Sequence, residues 1–357
     1  MTGRLASRGR RRGVLIVSVA SALVVLAGCS NSTATNSQSP ASGTTALKTF
    51  TFRTEYLASG IDAPYLYALS HGYYKAEGLD FKLSYGKGSL YTAQDVGQGR
   101  SDGGDVSSGV AALAIAKGLP ITVVGAYSAK SEIGFIVPKD SSITSIKDLA
   151  GKTVVTETGA PEELLLPAVW QLAGIPANSV HLLVVSAAIA DSTYASGKGD
   201  AISESLPFGL PLVEKQRPSR VLPWADIGFV MPGYSFIVNK SLVQSDPAEV
   251  AAFLRATYKG LAGAMQHPAE AADLVMKANS TLDAGEVAAQ WTGWIQYICT
   301  SAMKNAGEPI GYNDVSDWQS GLQLLAKYQG LTGSTNPADY VTNTFFSQGN
   351  PVSTTKC

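Results

Sequence analysis

From residue 49 onward, short segments with a two-residue apolar period alternate with segments of helical period, and this alternation restricts the fold more than any single motif. Thr49–Tyr56 is expected to form the first strand. Pro64 opens a helix at a position where a missing N–H does no harm, and Gly72 closes it. Leu79, Phe81 and Leu83 then alternate with Asp80, Lys82 and Ser84, which marks a half-buried strand. Ser89–Gly97 reads as a helix, Gly104–Val106 as a short strand and Ser107–Lys117 as an Ala-rich helix stopped by Gly118 and Pro120. Ile121–Ala126 is a wholly apolar strand. Such βαβ repetition implies an α/β fold around a mostly parallel sheet.

A second block begins near Ile133. Ser145–Val155 gives a short helix, a Gly turn and a strand, and Pro161–Gly174 gives a helix expected to kink or break at Pro167. Val180–Val185 reads as a buried strand, Ala201–Ser203 as a short one and Ser235–Asn239 as a strand returning to the first block. Helices follow from Pro247, Pro268, Asp283 and Asp314, the first capped by Asp246 with Glu249 at its third position. Trp291, Trp294, Tyr297 and Ile298 share one helical face and are assigned to core packing. There is no internal repeat.

The N-terminus is of another kind. Arg4, Arg8, Arg10, Arg11 and Arg12 precede an apolar run from Val14 to Ala27, too short to span a bilayer. Leu26-Ala27-Gly28-Cys29 resembles a bacterial lipobox, so residues 1–28 are expected to be a lipoprotein signal peptide and Cys29 the lipidated first residue of the exported chain. Arg11-Arg12 leaves both the general and the twin-arginine export routes open. Residues 29–47 carry Ser, Thr, Asn, Gln, Ala, Pro and Gly without apolar period and read as a flexible tether. The expected location is the extracytoplasmic face of the cell membrane, held by lipid alone. Of the other cysteines, Cys299 and Cys357, an oxidising compartment permits a disulfide. The Gly/Asn/Pro/Ser/Thr tail before Cys357 favours instead a buried free thiol and a loose last residue.

Without its five leading arginines the chain has 22 basic against 28 acidic residues, a net charge of −6. That balance, with no basic stripe, argues against nucleic acid. The remaining body of roughly 310 residues exceeds the size at which one core stops growing, so two lobes are expected.

Several marks fall in order along the body. They are Ala63-Pro64-Tyr65 followed by GYYKAEGLDFKL; Gly86-Lys87-Gly88-Ser89; GRSDGGDVSSG at Gly99–Gly109; Leu119-Pro120; Asp148-Leu149-Ala150-Gly151-Lys152; Gly199-Asp200-Ala201; and Asp339-Tyr340-Val341-Thr342-Asn343. With these, Phe50–Phe346 resembles the periplasmic-binding-protein family that includes sulfonate, nitrate, taurine and thiamine-pyrimidine-precursor binding proteins. The resemblance implies a type II periplasmic-binding-protein fold: two α/β lobes joined by two crossing strands, near Glu132–Pro138 and Gly233–Asn239, with the ligand cleft between them. Lobe 1 would be residues 48–132 plus 237–357 and lobe 2 residues 133–236. It further implies a monomer that delivers a small molecule to the permease of an ABC importer, with neither cofactor nor metal.

Ligands of open α/β sheets sit beyond the carboxyl ends of the strands. The candidate ligand-binding residues are therefore Tyr56, Asp62, Tyr65, Gly88, Ser89, Asp105, Ser107, Tyr127, Glu157, Thr158, Glu204 and Tyr234. The same Gly and Ser residues also suit turns and helix caps. Further acids in these loops are Glu132, Glu162 and Glu163, whereas Lys87 and Lys130 are the only cations and Arg is absent. Carboxylates repel an anion, while aromatic faces beside a carboxylate suit a planar heterocycle that donates hydrogen bonds. A pyrimidine-like vitamin precursor is thus favoured over a sulfonate, taurine or nitrate. An enzyme is disfavoured: His71, His181 and His267 are dispersed, Gly-x-Ser-x-Gly, His-Glu-x-x-His and Cys-x-x-Cys are missing, and so is the cysteine-rich iron motif of the superfamily's pyrimidine synthases.

Overall fold

A computed structural model of the chain describes residues 46–347, 349 and 351–357. The expected signal peptide, Cys29 and nearly all of the tether lie outside the described residues. The strands are β1 (Lys48–Arg53), β2 (Leu79–Ser84), β3 (Gly103–Ser107), β4 (Ile121–Ala126), β5 (Ile133–Pro138), β6 (Thr153–Glu157), β7 (His181–Val185), β8 (Ala201–Ser205), β9 (Ser219–Pro223) and β10 (Tyr234–Asn239). The helices are α1 (Ala63–Ser70), α2 (Tyr73–Ala76), α3 (Ser89–Gly97), α4 (Ser108–Ala116), α5 (Pro161–Ala173), α6 (Ala190–Ala195), α7 (Leu206–Val213), α8 (Lys240–Ser245), α9 (Pro247–Gln266), α10 (Pro268–Ala278), α11 (Ala284–Ile295), α12 (Ser301–Ala306) and α13 (Val315–Tyr328).

Two five-stranded sheets result, ordered β2-β1-β3-β10-β4 and β7-β6-β8-β5-β9. The two orders are the same pattern. In each, the first three strands run parallel, and the fourth position is taken by an antiparallel strand from the crossing of the chain between sheets. This is the two-lobed α/β architecture expected from the sequence. The crossings are the stretches 127–132, leading into β5, and 224–233, leading into β10. They lie side by side: the Gly233 and Tyr234 N–H groups donate to the Ser128 C=O (3.1 Å) and Oγ (2.7 Å), and the Tyr127 and Ser128 N–H groups donate back to the Tyr234 C=O. A Cβ on Gly233 would come within 2.2 Å of Ser128 Oγ, so only glycine lets the crossings approach this closely.

The first sheet packs an aromatic core against α9 and α1, with Phe50, Phe52, Phe81, Phe236 and Phe253 in mutual contact. A second core is shared by both sheets. It joins Val106 and Ala111 to Phe135, Val154 and Trp170, and it is covered by Trp318 and Leu322 of α13. The C-terminal helix therefore braces the rear of both lobes.

Four local expectations need correction. β1 ends at Arg53, three residues short of Tyr56. α5 continues through Pro167 without a break. A proline inside a helix costs about 3 kcal/mol, and the burial of Leu165, Leu166, Val169 and Trp170 on the same helix offsets that cost. β7 is an edge strand rather than a buried one, with Leu182 and Val184 more than 40% exposed. Finally, Cys299 and Cys357 are joined by a disulfide. The tail reaches Cys299 because it is held along residues 308–310: Ile310 N–H donates to Thr355 C=O (2.8 Å) and Cys357 N–H to Glu308 C=O (3.0 Å). Val352 is buried beneath it.

The disulfide spans a sequence separation of 58 residues. Loop-closure entropy for such a length gives about 4 kcal/mol of stabilisation. A Cys299→Ser/Cys357→Ser variant is expected to lose a substantial part of this in urea unfolding under non-reducing conditions. An unchanged midpoint would mean that the tail is held by its backbone contacts alone.

Candidate ligand-binding site

The carboxyl ends of β1 and β3 face those of β6 and β8 across a tightly closed cleft whose free volume is about 30 Å³, room for little more than a pair of waters. From the first lobe it is lined by Glu55, Tyr56, Ile61 and Tyr234. From the second come Glu157, Ala160, Pro161, Glu162, Ser203, Glu204, Ser205 and Phe208. No Lys, Arg or His is among these lining residues.

Glu55 follows directly on β1, where the chain turns inward. Its Oε1 accepts from the Ser89 N–H (3.0 Å) and Oγ (3.2 Å) at the start of α3, and its Oε2 accepts from the Tyr234 hydroxyl (3.0 Å). The Glu55 N–H in turn donates to Asp105 Oδ1 (2.6 Å), whose other oxygen accepts from the Tyr65 hydroxyl. The first-lobe acids are thus held by the lobe's own donors.

The second-lobe acids are not. The parallel register pairs Val154 with Ala201 and Val155 with Ile202. Carried two residues further, it sets Glu157 beside Glu204, one strand spacing of roughly 4.8 Å away. Glu157 Oε2 accepts from the Tyr56 hydroxyl across the cleft (2.5 Å), but its Oε1 has no partner among the protein's own groups. Glu204 Oε2 and the hydroxyls of Ser203 and Ser205 are likewise unpartnered and buried. Glu204 owes its place to Gly209 on α7, where a Cβ would lie 2.4 Å from the carboxylate.

Burial holds all four acids above the ordinary carboxylate range. Glu55 is pushed up to about 8, with Asp105 adding repulsion, and Glu157 to about 7, with Asp191 adding repulsion. Glu162 and Glu204 are raised strongly, again by burial first, then by Glu55 for the former and by Asp191 and Glu157 for the latter. Tyr56 meets Phe208 edge-on at 5.2 Å, and Trp294 packs against Tyr234 from behind.

Of the twelve residues singled out in the sequence, Tyr56, Glu157, Glu204 and Tyr234 line the cleft. Ser89, Asp105 and Tyr65 stand behind it as the supports of Glu55 and of one another. Gly88 lies at φ +116°, where its backbone approaches Gly159 of the other lobe. Ser107 precedes α4, and its N–H donates to Ser89 Oγ. Three sit elsewhere. Asp62 caps a turn through the Ser59 N–H. Tyr127 is enclosed by Tyr65, Phe236 and Trp294 and donates to the Ile61 C=O, which leaves no face for a ligand. Thr158 is exposed and bonded to Val185. Glu55, Ser203, Ser205 and Phe208 were missed. Glu55 was hidden by placing the end of β1 three residues late. Lys87 is exposed and Lys130 lies over Tyr297, so neither brings its charge into the cleft wall.

Residues 62–271 match the family described as NMT1/THI5 like. The chain belongs to that family. Among curated relatives, it is 24% identical to the formylaminopyrimidine-binding protein of Halalkalibacterium halodurans, over 88% of this chain and 94% of the relative. It is 25% identical to the riboflavin-binding protein RibY of Chloroflexus aurantiacus, over 78% and 80%. A 28% match over 61% and 70% is to a 4-amino-5-hydroxymethyl-2-methylpyrimidine phosphate synthase of Legionella pneumophila. Among solved structures, the alkanesulfonate-binding protein SsuA of Xanthomonas axonopodis pv. citri superposes with a TM-score of 0.63 at 15% identity, over 83% and 98% of the chains. The ligand-binding component of an ABC-type import system of Staphylococcus aureus gives 0.61 at 15%, over 83% and 96%. The fold is that of periplasmic binding proteins, and no described helix is long and apolar enough to cross a membrane.

Acids raised by burial make the folded chain hold more protons than the unfolded chain between the ordinary carboxylate range and about pH 8. Stability must therefore fall as pH rises through that window. Thermal unfolding of the ligand-free protein is expected at higher temperature at pH 5.5 than at pH 8, with a smaller difference in Glu204→Gln. A pH-independent midpoint would show that these acids are hydrated in the free protein.

Proposed function

We propose that the chain is an extracytoplasmic solute-binding protein that captures a pyrimidine-like or related heterocyclic vitamin precursor and hands it to the permease of an ABC importer. The observation that carries this reading is the composition of the cleft wall: four carboxylic acids, two unpartnered hydroxyls and three aromatic rings, without a basic side chain. Such a wall accepts hydrogen bonds and offers ring faces, so it suits a planar molecule rich in N–H donors. An oxyanion would find no basic side chain in the wall and would be repelled by whichever of the four acids is ionised, which disfavours the sulfonate, taurine and nitrate alternatives. The formylaminopyrimidine- and riboflavin-binding relatives bear names of the same ligand class.

The reading is of capture without turnover. His71 is turned against the Tyr67 C=O, His181 is on exposed β7, and His267 lies between α9 and α10; none reaches the cleft. Two relatives are named as pyrimidine phosphate synthases, and the absence here of the superfamily's cysteine-rich iron motif supports capture over that chemistry. Two bodies would close on the ligand about the paired crossings, one built on each sheet; the expected boundary at residue 237 moves to the start of β10, because Tyr234–Phe236 pair with β3 and β4 of the first sheet. The chain acts as a monomer, tethered by acylated Cys29.

Calorimetric titration with an aminopyrimidine, a flavin-like ring, taurine, an alkanesulfonate and nitrate tests the ligand class. Binding by a heterocycle is expected, weakened about tenfold in Tyr56→Ala by loss of a ring contact and a hydroxyl donor. Heat from the sulfonate or nitrate alone would refute the reading, and recovery of a chemically altered ligand would refute its non-enzymatic part. Separately, Cys29→Ala is expected to move the protein from the membrane to the soluble fraction; continued membrane association would remove the lipid anchor.

A further inference from the structure

The proposed ligand class leaves the charge of the ligand open, and the cleft bears directly on it. Glu157 and Glu204 end neighbouring parallel strands side by side, each more than nine-tenths buried and each with one oxygen free of any partner in the protein. The Ser203 and Ser205 hydroxyls flank them, also buried and unpartnered. Asp191 of α6 stands behind Glu204 within hydrogen-bond reach, so that Glu204 keeps its proton and shares it with Asp191. Glu162 faces the pair from the first turn of α5, and Glu55 from the first lobe. The groups that could donate are the Tyr56 hydroxyl, already given to Glu157, and the Tyr234 hydroxyl, given to Glu55. The nearest basic residue on α7's own flank, Lys215, points outward to Asp283 and Glu286.

We propose that Glu157 and Glu204 form a two-carboxylate clamp for an organic cation bearing several N–H donors, so that the solute is captured in its positively charged form. This rests on the solute-binding reading above and adds the charge. A neutral heterocycle can give N–H donors to the free oxygens, but it leaves the mutual repulsion of two ionised acids without a counter-charge. An ammonium or amidinium group supplies donors to both free oxygens and offsets the mutual repulsion of the acids. Since burial and the neighbouring carboxylates keep the acids partly protonated near neutrality, capture of a cation displaces protons from them. Affinity must rise between pH 6 and 8 for as long as the ligand keeps its charge.

The test uses the purified exported chain and an isosteric pair: a pyrimidine bearing an aminomethyl arm and the same pyrimidine bearing a hydroxymethyl arm, with benzamidinium as a non-pyrimidine cation. Titration in phosphate and in Tris, whose ionisation enthalpies differ, counts the protons exchanged. The aminomethyl compound is expected to bind at least about tenfold more tightly, with net proton release. Its advantage should vanish in Glu157→Gln/Glu204→Gln, whose folding is checked by the retained Cys299–Cys357 bridge and circular dichroism. Equal or tighter binding of the hydroxymethyl isostere would overturn the cation clamp and leave the pyrimidine reading standing. Binding of benzamidinium but of neither pyrimidine would keep the clamp and remove the pyrimidine reading. Failure of all three to bind would overturn both.

Discussion

A carboxylate taken out of water must find donors or keep its proton, and this requirement organises the centre of the molecule. The two lobes meet it differently. In the first lobe, Glu55 has two donors at Ser89 and one at Tyr234, Asp105 has the Glu55 N–H and the Tyr65 hydroxyl, and Asp62 has the Ser59 N–H. In the second lobe, Glu157 has a single donor, borrowed from Tyr56 of the first lobe, while Glu204 finds only another acid, Asp191, with which it shares its proton. The three first-lobe acids fix their loops, and among the described acids of that lobe only Glu132, in the crossing, keeps a buried oxygen without a partner. The second lobe presents acceptors not yet matched, and whatever enters the cleft is selected mainly by that half.

How far the lobes can part follows from what joins them. At the rear they share a core, in which α13 covers residues of both sheets, and the two crossings are bonded to each other at Ser128 and Gly233. At the front α7 packs on α11, with Pro207 against Gly293, the Phe208 C=O accepting from Gln290 Nε2 (3.1 Å) and the Phe208 ring edge-on to Tyr56; Tyr56 also donates to Glu157, and Lys215 pairs with Asp283 and Glu286. Exposed ion pairs of the last kind contribute at most about 1 kcal/mol each. Separating the front would release one helix pair and its ion pairs, whereas separating the rear would expose Trp170, Trp224 and Trp318.

The alternation of strand and helix periods made the two lobes legible, because each lobe repeats one βαβ pattern and a two-residue period survives without knowledge of tertiary contacts. Sequence could not see which strand would be an edge: Val180–Val185 is apolar throughout, yet β7 has a neighbour on one side only. Nor could it see the disulfide, since a polar tail is ordered here by backbone bonds to residues 308–310, which leave no trace in side-chain pattern. In the cleft, Tyr56, Glu157, Glu204 and Tyr234 were found from strand-end position alone. Tyr127 occupies an equivalent position and still faces inward, because the ring fills the space between Phe236 and Trp294. Strand ends nominate residues; packing decides which of them meet the cleft.

The same architecture carries an alkanesulfonate-binding protein at a TM-score of 0.63, so the fold itself does not choose the sign of the ligand. That choice lies with the few positions at the strand ends. In this chain the register of β6 and β8 places two glutamates together, Gly209 leaves room for one of them, and no basic residue enters the wall. A lysine or arginine at either glutamate would put a positive charge into a wall that now has none. The scaffold and the specificity are therefore separable here: the cores and the paired crossings set the cleft's shape, and the residues ending β6 and β8 set its charge.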